Sequence, residues 1–317
     1  MERRPFGPLG MVSALTLGGG GTGQVWGATT RDEAVATTRE AVEAGIDFLD
    51  VAPGYGNGEA ERVVGQAFDG RLPVGVRIST KCRLNIVPAA EVLPTFEASL
   101  AASLERLRLE RVDLFILHNQ LVTDRESSAG VPGTPLSLFD AAVRPAFERL
   151  VEDGRVGAWG ITGIGTPAAV IEVLRSSSPP AAVQCVTNLL DSPGSMQRFE
   201  GDPRPRDIIT AAVAAGVGVM GIRAVQAGAL TDAFDRDLPD DHADMRDYRR
   251  AAPFRVLAAE LGVTPALLAH RYALTMPGAS TVVLGVKNRE ELRECLAALA
   301  AGPLEADLLT RIDSLPR

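Results

Sequence analysis

The sequence predicts an α/β protein: a (β/α)8 TIM barrel with an N-terminal β-hairpin and long loops at the C-terminal face. Three observations carry that expectation. Eight short apolar stretches alternate with helix-patterned segments, the signature of βαβ units and a parallel sheet. Three consecutive stretches end in a chemically active residue: Asp50, Lys81 and His118. The two longest unpatterned connections, 119–138 and 223–249, each follow a strand, where a barrel keeps its functional loops. The length of 317 residues suits one such barrel, and no linker or low-complexity tract divides it, so a single domain over 1–317 is expected. A doubly wound open sheet is the alternative, and the missing dinucleotide fingerprint counts against it.

Residues 6–17 contain Gly7-Pro8 and Leu9-Gly10 before alternating apolar positions, a small hairpin leading into strand 14–17. GGGGTGQVWG, 18–27, is a Gly-rich loop whose spacing fits neither the Rossmann nor the Walker pattern. Thr30 with Glu33 three residues on predicts a capping box, opening a helix that runs to Ala44 and stops at Gly45. Strand 47–50 then precedes helix 59–68, strand 76–80 helix 91–107, and strand 112–117 helix 139–152. Strand 157–162 precedes a helix opening at Thr166-Pro167, an N-cap with proline at the first helical position. Strand 182–186 precedes helix 206–215. Strand 217–222 precedes the 223–249 loop and helices 251–261 and 265–274. Strand 281–284 leads into helices 289–299 and 305–312.

The hydrophobic content of 46% is ordinary for a globular chain. A net charge of −8 argues against a nucleic-acid partner, while a local cluster of cations would still hold an anion. No apolar run is long enough to span a bilayer, so no membrane partner is expected. Arg3-Arg4 faintly resembles a twin-arginine signal, but Pro8 and several glycines break the apolar segment that should follow. A cytoplasmic protein is expected. Cys82, Cys185 and Cys295 have no metal-ligand spacing and read as buried free thiols.

In a barrel, consecutive strand ends are neighbours on one rim. Asp50, Lys81 and His118 therefore converge, with Tyr55 on the loop just above them. A free phenol titrates at about pH 10 and is a poor proton donor near neutrality. An adjacent ammonium favours the phenolate, and a carboxylate keeps that ammonium charged and fixed. A neutral imidazole orients a carbonyl oxygen. The four groups suit proton transfer at an oxygen while hydride is added to C=O, or the reverse. One histidine, with no second carboxylate near it in sequence, does not suit metal hydrolysis. Taken singly, Asp50 and Lys81 could be a structural pair and His118 a core histidine; their arrival on one rim is what singles them out.

These residues resemble the aldo-keto reductases. DFLDVAPGYGNGEAERVVGQAF is similar to that family's second strand and following helix, and STK and LFILHN to its third- and fourth-strand signatures. The likeness runs to VVLGVKNREELRECL. It implies that Tyr55 is the general acid/base, that Lys81 with Asp50 tunes it, and that His118 orients the substrate carbonyl. It also implies NADP(H) extended over the barrel mouth, with a small-molecule carbonyl or alcohol as the substrate.

The cofactor contacts implied by the resemblance depart from the family pattern in places. Thr162 takes a usual serine position and Gly163 replaces the asparagine beside it. Gln184 matches a carboxamide contact, with Asn188 just beyond. Ile222 and Arg223 stand where many members place a stacking aromatic. Ala224, Gln226, Gly228 and Leu230 fall near the pyrophosphate. Gly285, Lys287, Asn288 and Arg289 fall near the adenosine 2′-phosphate. Glu291 and Cys295 replace the usual Arg or Gln and adenine-binding Asn. The acid at 291 keeps NAD(H) open beside the preferred NADP(H). Trp26 and Asn119 are implied on the substrate side, with Phe234, Arg246 and Tyr248 as further loop residues. His242 and His270 read as a surface and a helix residue. The alternatives are an NAD(P)-dependent sugar (aldose) dehydrogenase, suggested by GITG, a cofactor-binding regulatory subunit with little turnover, or a barrel hydrolase or isomerase without a nicotinamide.

Overall fold

Eight parallel strands close into a barrel in the computed structural model, which describes residues 1–316 apart from 233, 235 and 236. The strands are β1 (Leu15–Gly18), β2 (Phe48–Asp50), β3 (Arg77–Cys82), β4 (Val112–Leu117), β5 (Val156–Thr162), β6 (Ala182–Val186), β7 (Gly218–Ile222) and β8 (Thr281–Leu284). Each pairs in parallel with its sequence neighbours, and β8 closes on β1 through Val282↔Leu15. Their ends lie within two residues of the spans expected from the apolar pattern.

The principal helices are α1 (Arg31–Glu43), α2 (Glu59–Phe68), α3 (Val92–Leu107), α4 (Arg144–Glu152), α5 (Pro167–Leu174), α6 (Pro205–Ala214), α7 (Ala243–Arg250), α8 (Ala252–Glu260), α9 (Pro265–Thr275), α10 (Arg289–Ala300) and α11 (Ala306–Asp313). Their apolar faces cover the barrel in one continuous cluster that includes Phe96, Phe147 and Tyr272. The hairpin of Arg3–Pro5 and Met11–Ser13 closes the floor. Phe6 plugs the lumen there, fully buried with Phe48, Leu114, Ile116 and Met220. Burying a phenylalanine to that extent contributes about 1.5–3 kcal/mol. Arg3 pairs with Asp47 at 2.8 Å, and Arg4 donates to the Leu274 carbonyl at 2.9 Å, so the arginine pair fastens the hairpin to the barrel.

Several expectations need correction. The capping box at Thr30 is half made: Thr30 accepts from the Glu33 amide, but the Glu33 carboxylate turns to Arg289 instead. The Gly-rich loop contains a helical turn, Gly19–Thr22. The 119–138 loop holds a two-stranded piece, Leu121–Val122 with Thr134–Pro135, and a helix, Asp124–Ser128, with a reciprocal capping box. The helix placed at 139–152 begins as a π-helical stretch, Phe139–Val143. The 223–249 loop carries α7, whose apolar content was too low to mark it as a helix. Among the described residues, no single helix is long and apolar enough to cross a membrane.

Candidate active site

Parallel pairing fixes the rim. Asp50 lies opposite Ser79, and Lys81 opposite Ile116, so β2, β3 and β4 deliver Asp50, Lys81 and the following His118 side by side. Strand alternation puts Ser79 and Lys81 on one face. Lys81 is fully buried, yet all its donors are used. Its Nζ donates to Asp50 Oδ2 at 2.8 Å, to the Val51 carbonyl at 3.0 Å and to the Tyr55 hydroxyl at 3.3 Å. Burial by itself would lower the ammonium's pKa. Asp50 and Tyr55 outweigh it, and the pKa stands above its ordinary value.

Asp50 is held from three directions. Besides Lys81 it accepts from Ser79 Oγ at 2.6 Å and from Gln184 Nε2 at 2.9 Å. A buried carboxylate is stable only with its lone pairs so satisfied. The half-buried Tyr55 ring lies under the Lys81 ammonium, 4.7 Å from Nζ to centroid. Its edge meets the His118 ring at 5.8 Å and 89°. Burial, with the charges of Lys81 and Arg83, pushes the His118 pKa down to about 3, so this imidazole is neutral at any ordinary pH. The structure thus brings together all four residues proposed for catalysis.

The surrounding positions are more mixed. Thr162 Oγ1 donates to the Leu117 carbonyl at 3.0 Å. Gly163 sits where a Cβ would fall 2.8 Å from the Gln184 carbonyl and 3.1 Å from Cys185 Sγ, so a side chain there is excluded by the closeness of β5 and β6. Gln184 spends its amide on Asp50, and Asn188 is fully buried, tying the Ser192 and Arg223 carbonyls together. Ile222, half-buried at the end of β7, packs against Ile164, Val186 and Phe199. Arg223 is turned into a buried polar knot, Nε to Gln226 at 2.9 Å and NH2 to Asp244 at 3.1 Å. Gln226, also inside it, donates to Asp247 at 2.6 Å. Ala224 and Leu230 are core residues, while Gly228 takes a left-handed turn at φ +93°. The knot's other members, Ser192, Asp244 and Asp247, had no signal in the sequence, because polar loop residues look alike until the loops dock.

At the far corner, Lys287 and Glu291 form an ion pair at 3.2 Å, and the Glu291 carboxylate also accepts from the Lys287 amide. Asn288 caps α10. Arg289 grips Glu33 of α1 with both guanidinium and amide. Gly285 lies under Trp26, where a Cβ would approach the indole to 3.3 Å. Cys295 does not reach this corner. It is buried against His270, Sγ to Nε2 3.5 Å, and burial raises its pKa. Asn119 is likewise engaged, bridging the amide and carbonyl of Leu84 at 2.8 and 2.7 Å. His242 caps α7; Tyr248 stacks under Arg255 and meets Phe234 at 5.6 Å; Arg246 binds the Asp241 carbonyl. Ser79 was missed, although its place two residues before Lys81 marks the same face of β3.

A closed barrel with this rim matches known proteins. The model of the aldo/keto reductase family matches residues 14–317, and the chain belongs to that family of oxidoreductases. L-galactose dehydrogenase of Arabidopsis thaliana is 26% identical over 302 residues, 94% of this chain and 88% of that protein. D-threo-aldose 1-dehydrogenase of a Pseudomonas species is 28% identical, over 67% and 68% of the two chains. In fold, the chain is similar to an aldo-keto reductase of Klebsiella pneumoniae solved in complex with NADPH, with a TM-score of 0.72 at 23% identity over 100% and 96% of the chains.

Proposed function

We propose that this protein is an NADP(H)-dependent oxidoreductase that interconverts an alcohol and a carbonyl, with Tyr55 as the proton donor and acceptor and an aldose as the substrate class. One observation carries the chemistry: a buried, charged Lys81 held between Asp50 and the Tyr55 hydroxyl, 2.8 and 3.3 Å away, beside a neutral imidazole. At the α10 corner Lys287 and Arg289, held by Glu291 and Glu33, are the cations that would exchange a carboxylate for the phosphate of the cofactor, and a protein of the same fold is solved with NADPH. Bound NADP(H) supplies or takes up the hydride. In oxidation, the substrate hydroxyl gives its proton to Tyr55 Oη as hydride leaves the same carbon. In reduction, Tyr55 returns the proton to the carbonyl oxygen. Lys81 stabilises negative charge on Tyr55 Oη, Asp50 keeps Lys81 charged and aimed, and the His118 ring orients the substrate oxygen.

The aldose class rests on two relatives named as sugar dehydrogenases, L-galactose dehydrogenase and D-threo-aldose 1-dehydrogenase. Titrating the purified protein with NADPH and NADH by fluorescence, then measuring turnover on aldoses, simple aldehydes and ketones, tests the reading. Binding of NADPH with aldose oxidation is the expected result. Failure to bind either nucleotide would remove the oxidoreductase assignment, and turnover of aldehydes alone would remove the aldose.

A further inference from the structure

The run Gly19–Thr22 with its C-cap Gly23 is buried throughout, and none of its glycines has a positive φ. Gly23, at φ −88° and ψ 10°, has a backbone any residue can adopt. These glycines are therefore present for closeness and not for conformation. The turn also closes on itself. The amides of Gly23, Gln24 and Val25 donate to Gly19, Gly21 and Gly20 carbonyls at 2.8–2.9 Å.

Each face of the turn touches a different part of the site. A Cβ on Gly19 would lie 2.8 Å from Ala60 Cβ and 3.0 Å from Val51 Cγ1, and the Val51 carbonyl is the one Lys81 binds. On Gly20 it would meet the Trp26 indole at 2.4 Å, and on Gly21 the Val286 carbonyl at 2.0 Å. On Gly23 it would lie between the Gly19 carbonyl oxygen of its own turn at 2.8 Å and Tyr55, whose carbonyl oxygen and carbon would be at 2.9 and 3.0 Å. Gly56 returns the contact: a Cβ there would lie 2.3 Å from the Gly23 carbonyl. Two glycine backbones thus lie face to face behind the loop that carries the phenol.

We propose that Gly23 is a positioning residue: its bare backbone, pressed against Tyr55, sets how far the phenol stands from Lys81. The inference rests on Tyr55 being the acid/base group. A methyl at 23 cannot be absorbed by a flexible side-chain tip, because the atoms it meets are backbone. The Tyr55 loop shifts, and the 3.3 Å contact from Lys81 lengthens. Misplacement of a reacting group by a fraction of an ångström to 1 Å costs about ten- to a hundredfold in rate.

The test compares Gly23→Ala with Gly157→Ala. Gly157 is the second residue of β5, exposed at the opposite end of the barrel, where a Cβ would lie 2.8 Å from the Asp113 carbonyl, so it is a backbone insertion away from the site. In Gly23→Ala, kcat is expected to fall about tenfold or more, with the NADPH dissociation constant within about twofold and a larger solvent deuterium isotope effect on kcat. In Gly157→Ala, thermal stability falls and kcat stays. Unchanged kcat in Gly23→Ala, or an equal loss of kcat in both variants, overturns the proposal. Should Gly23→Ala not fold, Gly20→Ala probes the neighbouring face. It displaces Trp26 and not Tyr55, so KM should rise with kcat retained, and a fall in kcat alone would refute the division of labour. If the parent protein neither binds a nucleotide nor turns over, the reading of function fails, whatever Gly23 does.

Discussion

Gln184, on β6, reaches across the barrel to donate to Asp50, on β2, at 2.9 Å. These residues are 134 positions apart in the chain. With Ser79 and Lys81, this contact gives a fully enclosed carboxylate three donors, so the charge that holds Lys81 is itself held from two strands besides its own. Gln184→Leu should therefore disturb Lys81 and Tyr55 through Asp50. The expected outcome is a lower kcat, and crystals of the variant would show Asp50 or Lys81 displaced. A variant that changes only nucleotide affinity would instead make Gln184 a cofactor contact.

Tyr55→Phe should remove nearly all turnover, by about a thousandfold, while NADPH affinity stays within about twofold, because only the proton is lost and the ring still packs. Steady-state rates beside a fluorescence titration measure both. Retained turnover would take the proton-transfer role from Tyr55.

Asp50→Asn leaves the buried ammonium of Lys81 without its carboxylate. Breaking such a pair by removing one partner costs about 3–5 kcal/mol, to be read from the urea midpoint. Because Lys81 has a raised pKa in the folded protein, its contribution is fully present below the unfolded lysine's pKa and is lost as pH rises through the higher folded value. The native protein should therefore lose stability on the alkaline side, from about pH 10.5 upward, and Lys81→Met should lessen that slope.

His118 has the opposite arrangement. Its pKa is lowered to about 3, so between that value and the ordinary histidine value near 6.5 the unfolded chain binds a proton that the folded chain does not. The His118 contribution is complete above about pH 6.5 and is lost as the pH drops toward 3. His118→Gln should flatten the fall between pH 6.5 and 4 in denaturant titrations. The His118 imidazole resonances should stay unshifted from pH 8 to 5, and a midpoint near 6.5 for that ring would contradict its neutral role.

Lys287 faces Glu291, which partly neutralises it before any ligand arrives. If the 2′-phosphate binds here, Lys287→Ala weakens NADPH more than NADH. Glu291→Gln tightens NADPH relative to NADH by roughly tenfold, the scale of one charge-assisted contact. Isothermal titration with both nucleotides decides, and parallel changes for the two would move the phosphate elsewhere.

The sequence by itself determined the barrel and its reactive rim. Strand alternation and parallel pairing are local rules, so Asp50, Lys81 and His118 at successive strand ends had to become neighbours, and Tyr55, five residues after Asp50, had to stand close by. What lies between distant segments was decided only by tertiary structure. The Ser79 and Gln184 contacts to Asp50, the Arg223–Gln226–Asp244 knot, the capture of Arg289 by Glu33 and the turning of Cys295 toward His270 each depend on where a side chain finds its partner after the loops and helices dock. The Gly-rich segment shows the same division. Its composition was legible as a loop with an unassigned purpose, but the need for bare backbone at Gly23 comes from Tyr55 pressing on it, a contact between two strand-end loops that no spacing along the chain encodes.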